Sequence, residues 1–388
     1  LAPPPAKLPP PPPSVIKEMS ALPQALVPFP SQFANETVRM VVRTTVGGRA
    51  LRLQFSNAQG ADPVRIGSTH VALRDAGAAI VDGSDHRVTF GGKAQIVIPP
   101  GAMIVSDPVP MAVSARRELA VSIYLPSQTA TATVHALGLN PAYIAAGDAT
   151  AAKALGDPKT VASYFWLSGV EVLPIVPGGV IVAFGDSITD GFSTTRGAHR
   201  AWPELLADRL DGDAATRGWG VVNMGISGNR VRRDGAGSSA LARFDRDVLS
   251  RPGVKWIILL EGINDINITA MPGAPDEERT TAADLIDAYS QFVDKAHLHG
   301  IKVMGATVMP TEGLWLHSPV SEEMRQALNR WIRTSGKLDA VADFDLATRD
   351  PGRPARLRPE FDPGDHIHPN DAGNAAMAAS IDLRAFSR

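Results

Sequence analysis

The hydrophobic pattern of this chain changes period once, near Pro177, and that change limits what each side of it can become. From about residue 35 to 175 apolar residues alternate with polar ones: Val38, Met40 and Val42; Leu51, Leu53 and Phe55; Leu119, Val121, Ile123 and Leu125. A period of two belongs to strands with one buried face. Turn signals separate the runs, as at Val46-Gly47-Gly48, Asp82-Gly83-Ser84 and Gly91-Gly92. A helical pattern first occurs at 145–155. Short strands at this spacing predict an all-β sandwich or jelly-roll domain over 35–175.

Beyond Pro177 strand patterns fall at 180–184, 220–224, 255–260, 302–308 and 340–344. Helical patterns at 202–210, 282–297, 322–334 and 371–385 lie between or after them. Alternating β and α over about two hundred residues predicts an α/β domain at 176–388, a parallel sheet covered on both faces. In such sheets ligands sit at the carboxyl ends of the strands. Ahead of both regions, eleven of the 32 prolines fall in the first thirty residues. Such a segment favours extended polyproline II, so 1–34 reads as a tail that tethers rather than packs.

Lys plus Arg number 38 against 40 Asp plus Glu, which leaves a net charge of −2 and no pull toward nucleic acid or anionic membrane. There is no cysteine, so disulfides, thiolate metal sites and a cysteine nucleophile are excluded by inventory. No apolar run reaches the roughly 20 residues of a membrane-spanning helix. The start at Leu1, followed by Pro and Ala, suits a chain whose leader has been removed, hence a soluble secreted or periplasmic protein; a trimmed chain would look the same.

Four stretches carry chemistry. The first, Val180-Ile181-Val182-Ala183-Phe184-Gly185-Asp186-Ser187-Ile188-Thr189-Asp190-Gly191, runs an apolar strand into a polar turn with Ser187 at the strand's carboxyl end. A helix beginning there would turn free N–H groups toward a developing negative charge, as a serine nucleophile requires; a serine that only caps a helix would look similar. The last, Asp365-His366-Ile367-His368-Pro369, spaces a carboxylate and an imidazole by three positions. Asp365 could thus hold one ring nitrogen of His368, leaving the other to take a proton from Ser187. Between them lie Asn223-Met224-Gly225-Ile226-Ser227-Gly228-Asn229 and Leu260-Glu261-Gly262-Ile263-Asn264-Asp265, both strand-end loops. Glycine lets a backbone N–H approach an oxyanion and asparagine supplies a fixed donor, although both residues are common turn formers.

Taken together these stretches resemble the GDSL/SGNH hydrolase family, whose four blocks carry Ser, Gly, Asn and His in that order. The resemblance covers roughly 178–385. The first block here reads GDSIT, with Ile188 where the family name has Leu. It implies a flavodoxin-like sheet, hydrolysis of acyl esters, Ser187, Asp365 and His368 as catalytic residues, and an oxyanion hole of the Ser187 N–H, Gly228 and Asn264. The stretch from Ala201 to Leu206 also looks like the first helix of family members.

Other readings compete. Asp362, Asp365, His366 and His368 could form a metal site, but that would leave Ser187, Gly228 and Asn264 unexplained, so no metal and no cofactor is expected. His366 is then a solvent-facing or supporting residue, and His297 and His299 a helix-terminal pair. Arg230, Arg232 and Arg233 could bind an anionic part of a substrate or form a solvated basic loop. Leu314 and Trp315, in a loop after the fourth strand, could line an acyl pocket or pack in the core. With no long hydrophobic lid, a short acyl chain is expected. The expected partner is a small-molecule or glycan ester. The alternatives are an acyltransferase using the same residues, or a carbohydrate-binding protein with a degenerate hydrolase unit.

Overall fold

The computed structural model describes residues 28–387 together with residues 8, 10, 12 and 13. Apart from those four, the proline-rich segment up to residue 27 lies outside the described residues. The described chain divides into two compact units, one ending at Gly178 and the other beginning at Gly179. No helix among the described residues is long and apolar enough to cross a membrane.

The first unit is all β and antiparallel. Six strands form one sheet in the order β8-β7-β1-β6-β3-β4, with β1 at Glu36–Arg43, β3 at Ser68–Leu73, β4 at His86–Arg87, β6 at Glu118–Leu125, β7 at Ala142–Ala146 and β8 at Lys159–Val161. A second sheet places β2, Gly48–Ser56, between β5, Met103–Val105, and β9, Leu167–Pro174. Val38 and Met40 from the first sheet and Leu51, Leu53 and Phe55 from the second share one buried apolar cluster, which is why the alternation was readable. Phe33 is buried in that cluster and Phe29 packs against it, so the core recruits residues from the end of the segment expected as a tail.

The helix expected at 145–155 is absent. Ala145 belongs to β7, and the residues after Ala146 form turns. The cause is Arg39, which projects from the other face of β1 and is 1% exposed. Its guanidinium donates to the carbonyls of Ala78, Thr150 and Ala152 at 2.6, 3.2 and 2.8 Å, so the segment's acceptors serve a buried cation rather than amides one turn on.

The second unit holds a five-stranded parallel sheet in the order β11-β10-β12-β13-β14, the flavodoxin-like pattern. Its strands are β10 Val180–Gly185, β11 Gly220–Gly225, β12 Val254–Leu260, β13 Lys302–Ala306 and β14 Ala340–Ala342. Ile181 to Phe184 and Ile257 to Leu260 are buried without alternation, because helices cover both faces. A short α1, Ser187–Asp190, follows β10. The longer helices are α2 Trp202–Gly212, α3 Ile263–Ala270, α4 Ala282–Leu298, α5 Pro319–Thr334 and α6 Asp371–Ser380.

Reciprocal caps start α4, between Thr281 and Asp284, and α5, between Ser318 and Ser321. The last helix is shorter than its pattern: α6 stops at Ser380, and a 3-10 turn over Leu383–Phe386 carries Phe386 between Trp219 and Trp256. The fourth and fifth strands also end early. Asp343 caps a short helix at Phe344–Thr348 instead of continuing the sheet.

Candidate active site

The carboxyl end of β10 turns directly into α1. Asp186 caps that turn by accepting the N–H of Ile188 at 3.0 Å, so Ser187 is the first helical residue and not the cap. The turn rests on β11 through a close approach at Gly225, where an added Cβ would lie 2.1 Å from the amide nitrogen of Asp190. Only glycine leaves that space. The Asn223 side chain donates to the Thr189 carbonyl at 2.8 Å. The Asp190 carboxylate accepts the N–H and hydroxyl of Ser227 at 3.0 and 2.7 Å. These bonds join the first and second sequence blocks.

Asp365 and His368 meet within one turn. One carboxylate oxygen accepts the N–H groups of Ile367 and His368 at 3.1 and 3.0 Å, while the other lies 2.7 Å from Nδ1 of His368. An ionised carboxylate only accepts, so the imidazole proton is assigned to Nδ1 and Nε2 is left as the acceptor. Nε2 stands 2.8 Å from Oγ of Ser187. Burial works to raise the Asp365 carboxyl, but the His368 ring bond and charge and the two N–H groups outweigh it and hold it below its ordinary value. The Phe192 ring lies 4.4 Å, centroid to centroid, from the imidazole.

The loop carrying His368 is fastened at its exit. Asn374 donates to the Pro369 carbonyl at 2.7 Å and accepts the N–H of Trp202 at 3.0 Å, linking α6, the loop and the start of α2. Asp371 accepts the N–H of Thr195 at 2.8 Å.

Gly228 takes φ of +80°, a left-handed conformation that favours glycine. Among the described residues no acceptor is paired with its N–H. Asn264 lies in the first turn of α3, and one N–H of its amide is held by the Asn229 carbonyl at 2.8 Å. The other N–H remains available. The Gly and Asn blocks are therefore joined through the backbone of Asn229.

Beneath these loops is a buried charged cluster. Burial pushes the Asp186 carboxyl up to about 7 and Asp265 up to about 6, and it holds Glu261 well above its usual range. Arg243, 0% exposed at its side chain, is ion-paired with Glu261 and Asp247 at 3.1 and 3.2 Å. Sequence reasoning missed Asp190, Ser227, Asn229, Arg243 and Glu261. All but Arg243 sit inside the quoted blocks, where their polarity was visible but their direction was not. Arg243 lies in an ordinary short helix, Ala240–Phe244, and carries no local signal.

The remaining candidates have other partners. Arg230 is 5% exposed and donates to Glu278 at 2.7 Å and to the Asp234 carbonyl at 2.9 Å, so its charge is already matched. Next to it, Arg232, Arg233 and Arg279 line a cavity of about 200 Å³ with Asp265, Glu278 and Thr280. Leu314 packs against the hydrophobic core of this unit, and Trp315 is half-buried.

The four groups of the alternative metal reading separate into two pairs. His366 lies 2.5 Å from Asp362, as His368 does at 2.7 Å from Asp365. No cluster among the described residues has the ligand grouping of a metal site. His297 pairs with Asp339 near the end of α4.

The family described as GDSL-like Lipase/Acylhydrolase family matches residues 183–376, half of the chain. No curated protein matches. Among solved structures, a protein described as a lipolytic protein of the G-D-S-L family from Desulfitobacterium hafniense DCB-2 is 20% identical, with 52% of this chain and 96% of that one covered and a TM-score of 0.39. An acetylxylan esterase from Geobacillus stearothermophilus is 22% identical, with 55% and 95% covered and a TM-score of 0.43.

Proposed function

Because the chain belongs to the GDSL-like lipase/acylhydrolase family, we propose that it is a serine esterase that cleaves short-chain acyl esters, acetyl-type or aryl, through an acyl-enzyme. The observation that carries this reading is the continuous path from Asp365 through His368 to Ser187, with spacings of 2.7 and 2.8 Å. Ser187 Oγ attacks the ester carbonyl carbon while Nε2 of His368 takes the hydroxyl proton. The carbonyl oxygen becomes an oxyanion, received by the N–H groups of Ser187 and Gly228 and the free amide N–H of Asn264. Collapse breaks the ester bond, and the alcohol leaves with the proton from His368. Water then attacks the acyl-enzyme and gives its proton to His368; collapse breaks the acyl–Oγ bond, the acid leaves, and His368 returns the proton to Oγ of Ser187.

Asp365 supports the cycle by fixing the ring tautomer and stabilising the imidazolium that forms at each attack. Its own carboxyl, held low, stays ionised through neutral pH. The test is turnover of p-nitrophenyl acetate together with labelling by a fluorophosphonate. Both are expected for the wild-type chain and neither for Ser187→Ala. Turnover or labelling that survives the substitution overturns the assignment.

A further inference from the structure

Arg243 makes four hydrogen bonds to the segments that carry the active-site loops, and none of them is to a group assigned to the reaction. Its five N–H donors all have acceptors. Nε donates to Oδ1 of Asn229 at 2.9 Å, and Nη1 to the Met224 carbonyl at 2.8 Å and to Asp247 at 3.2 Å. Nη2 donates to the Gly185 carbonyl at 2.9 Å and to Glu261 at 3.1 Å. The guanidinium lies over the Phe184 ring, 4.0 Å from its centroid.

Four of these acceptors, all but the local Asp247, have a common property. Gly185 is two residues before Ser187, Met224 is the last residue but one of β11 and lies four residues before Gly228, Asn229 follows Gly228, and Glu261 lies three residues before Asn264. The carbonyl of Asn229 in turn receives the amide of Asn264. One planar cation thus ties together the segments that carry all three oxyanion donors.

We propose that Arg243 is a positioning residue that sets the spacing of the oxyanion donors, a role that rests on the serine-esterase reading. The physical requirement is a flat fork with five donors at fixed angles. Lysine carries the same charge, but its single nitrogen has three donors and cannot serve acceptors on four sides of a plane. Charge alone therefore does not replace it.

The experiment compares Arg243→Lys with Arg325→Lys. Arg325 is another buried arginine of the same unit, bonded to Glu322, Asp345 and the Val308 carbonyl, and it has no bond to the loops bearing Ser187, Gly228 or Asn264. Active sites are counted by the end point of fluorophosphonate labelling, so kcat per labelled serine is free of any fraction that fails to fold.

Arg243→Lys is expected to lower that kcat by about 10- to 100-fold with KM within about threefold, since a misplaced oxyanion donor weakens only the transition state. Arg325→Lys is expected to keep the wild-type kcat per labelled serine, whatever it does to thermal stability. Equal kcat in both variants, or a loss for Arg243→Lys confined to KM, overturns the proposal.

Should Arg243→Lys yield no labelled protein, Asn229→Ala removes the Nε acceptor while retaining the carbonyl under Asn264, and it is judged by the same criterion. Ser187→Ala run in parallel separates the two levels. If that variant still turns over, the esterase reading fails and the positioning role falls with it. If it is inert while Arg243→Lys is unaffected, only the positioning role falls.

Discussion

Oγ of Ser187 lies 2.8 Å from Nε2 of His368, although 181 positions separate the two residues in the chain. The serine reaches that point because α1 starts at the end of the interior strand β10. The imidazole reaches it because the loop before α6 is bonded to the start of α2 through Asn374. Neither residue is held by the other alone.

Loss of the carboxylate partner tests what orients the ring. Asp365→Asn would keep the volume but could donate to Nδ1, favouring the tautomer whose Nε2 carries the proton and cannot accept from Ser187. We expect kcat on p-nitrophenyl acetate to fall on the order of 10³-fold or more. A loss under tenfold would mean that the two backbone N–H bonds and Phe192 packing suffice.

Asn264→Ala removes the amide that bridges to Asn229 and with it the donor proposed for the oxyanion. The expected cost in kcat is on the order of 10²-fold with little change in KM. Measured steady-state constants in which KM rises and kcat holds would instead place Asn264 in ground-state binding.

The pH dependence of stability follows from Asp265. Burial raises its folded-state value to about 6 from the ordinary 3.8, so between those values the folded chain retains a proton that the unfolded chain releases. Stability contributed at this site therefore falls as pH rises through that window and is level above it, by at most on the order of 3 kcal/mol. Asp265→Asn should flatten the fall in urea midpoint between pH 4 and 6. Parallel curves for the two proteins would refute the assignment. Asp365 acts in the opposite sense: its lowered carboxyl stabilises above the ordinary carboxylate range, and that contribution is lost as pH drops through its folded value.

Acyl length can be read from a series of p-nitrophenyl esters. We expect kcat/KM to be highest from acetyl to butyryl and to decline beyond. A steady rise toward long chains would require an acyl groove that the short-chain reading does not contain.

Much of the site was legible because its chemistry is written in short blocks. GDSIT, GISGN and GIND each sit where a strand ends in a polar turn, and DHIHP is a turn just ahead of a helix, where local geometry alone sets which side chains can meet, as with Asp365 and His368. The misread helix at 145–155 shows the limit. Its residues suit a helix, but a buried cation on β1, more than a hundred positions earlier, claims their carbonyls.

The amino-acid order by itself determined the two classes of fold and singled out the residues proposed for the reaction, because hydrophobic period and turn chemistry are local properties. Tertiary structure alone decided how the loops are held at fixed distances. Apart from its local pair with Asp247, Arg243 bonds to Gly185, Met224, Asn229 and Glu261, and no neighbour in sequence announces any of those four bonds. Burial also decided the protonation of Asp186, Glu261 and Asp265, since desolvation depends on everything packed around a carboxylate and on nothing in the letters beside it.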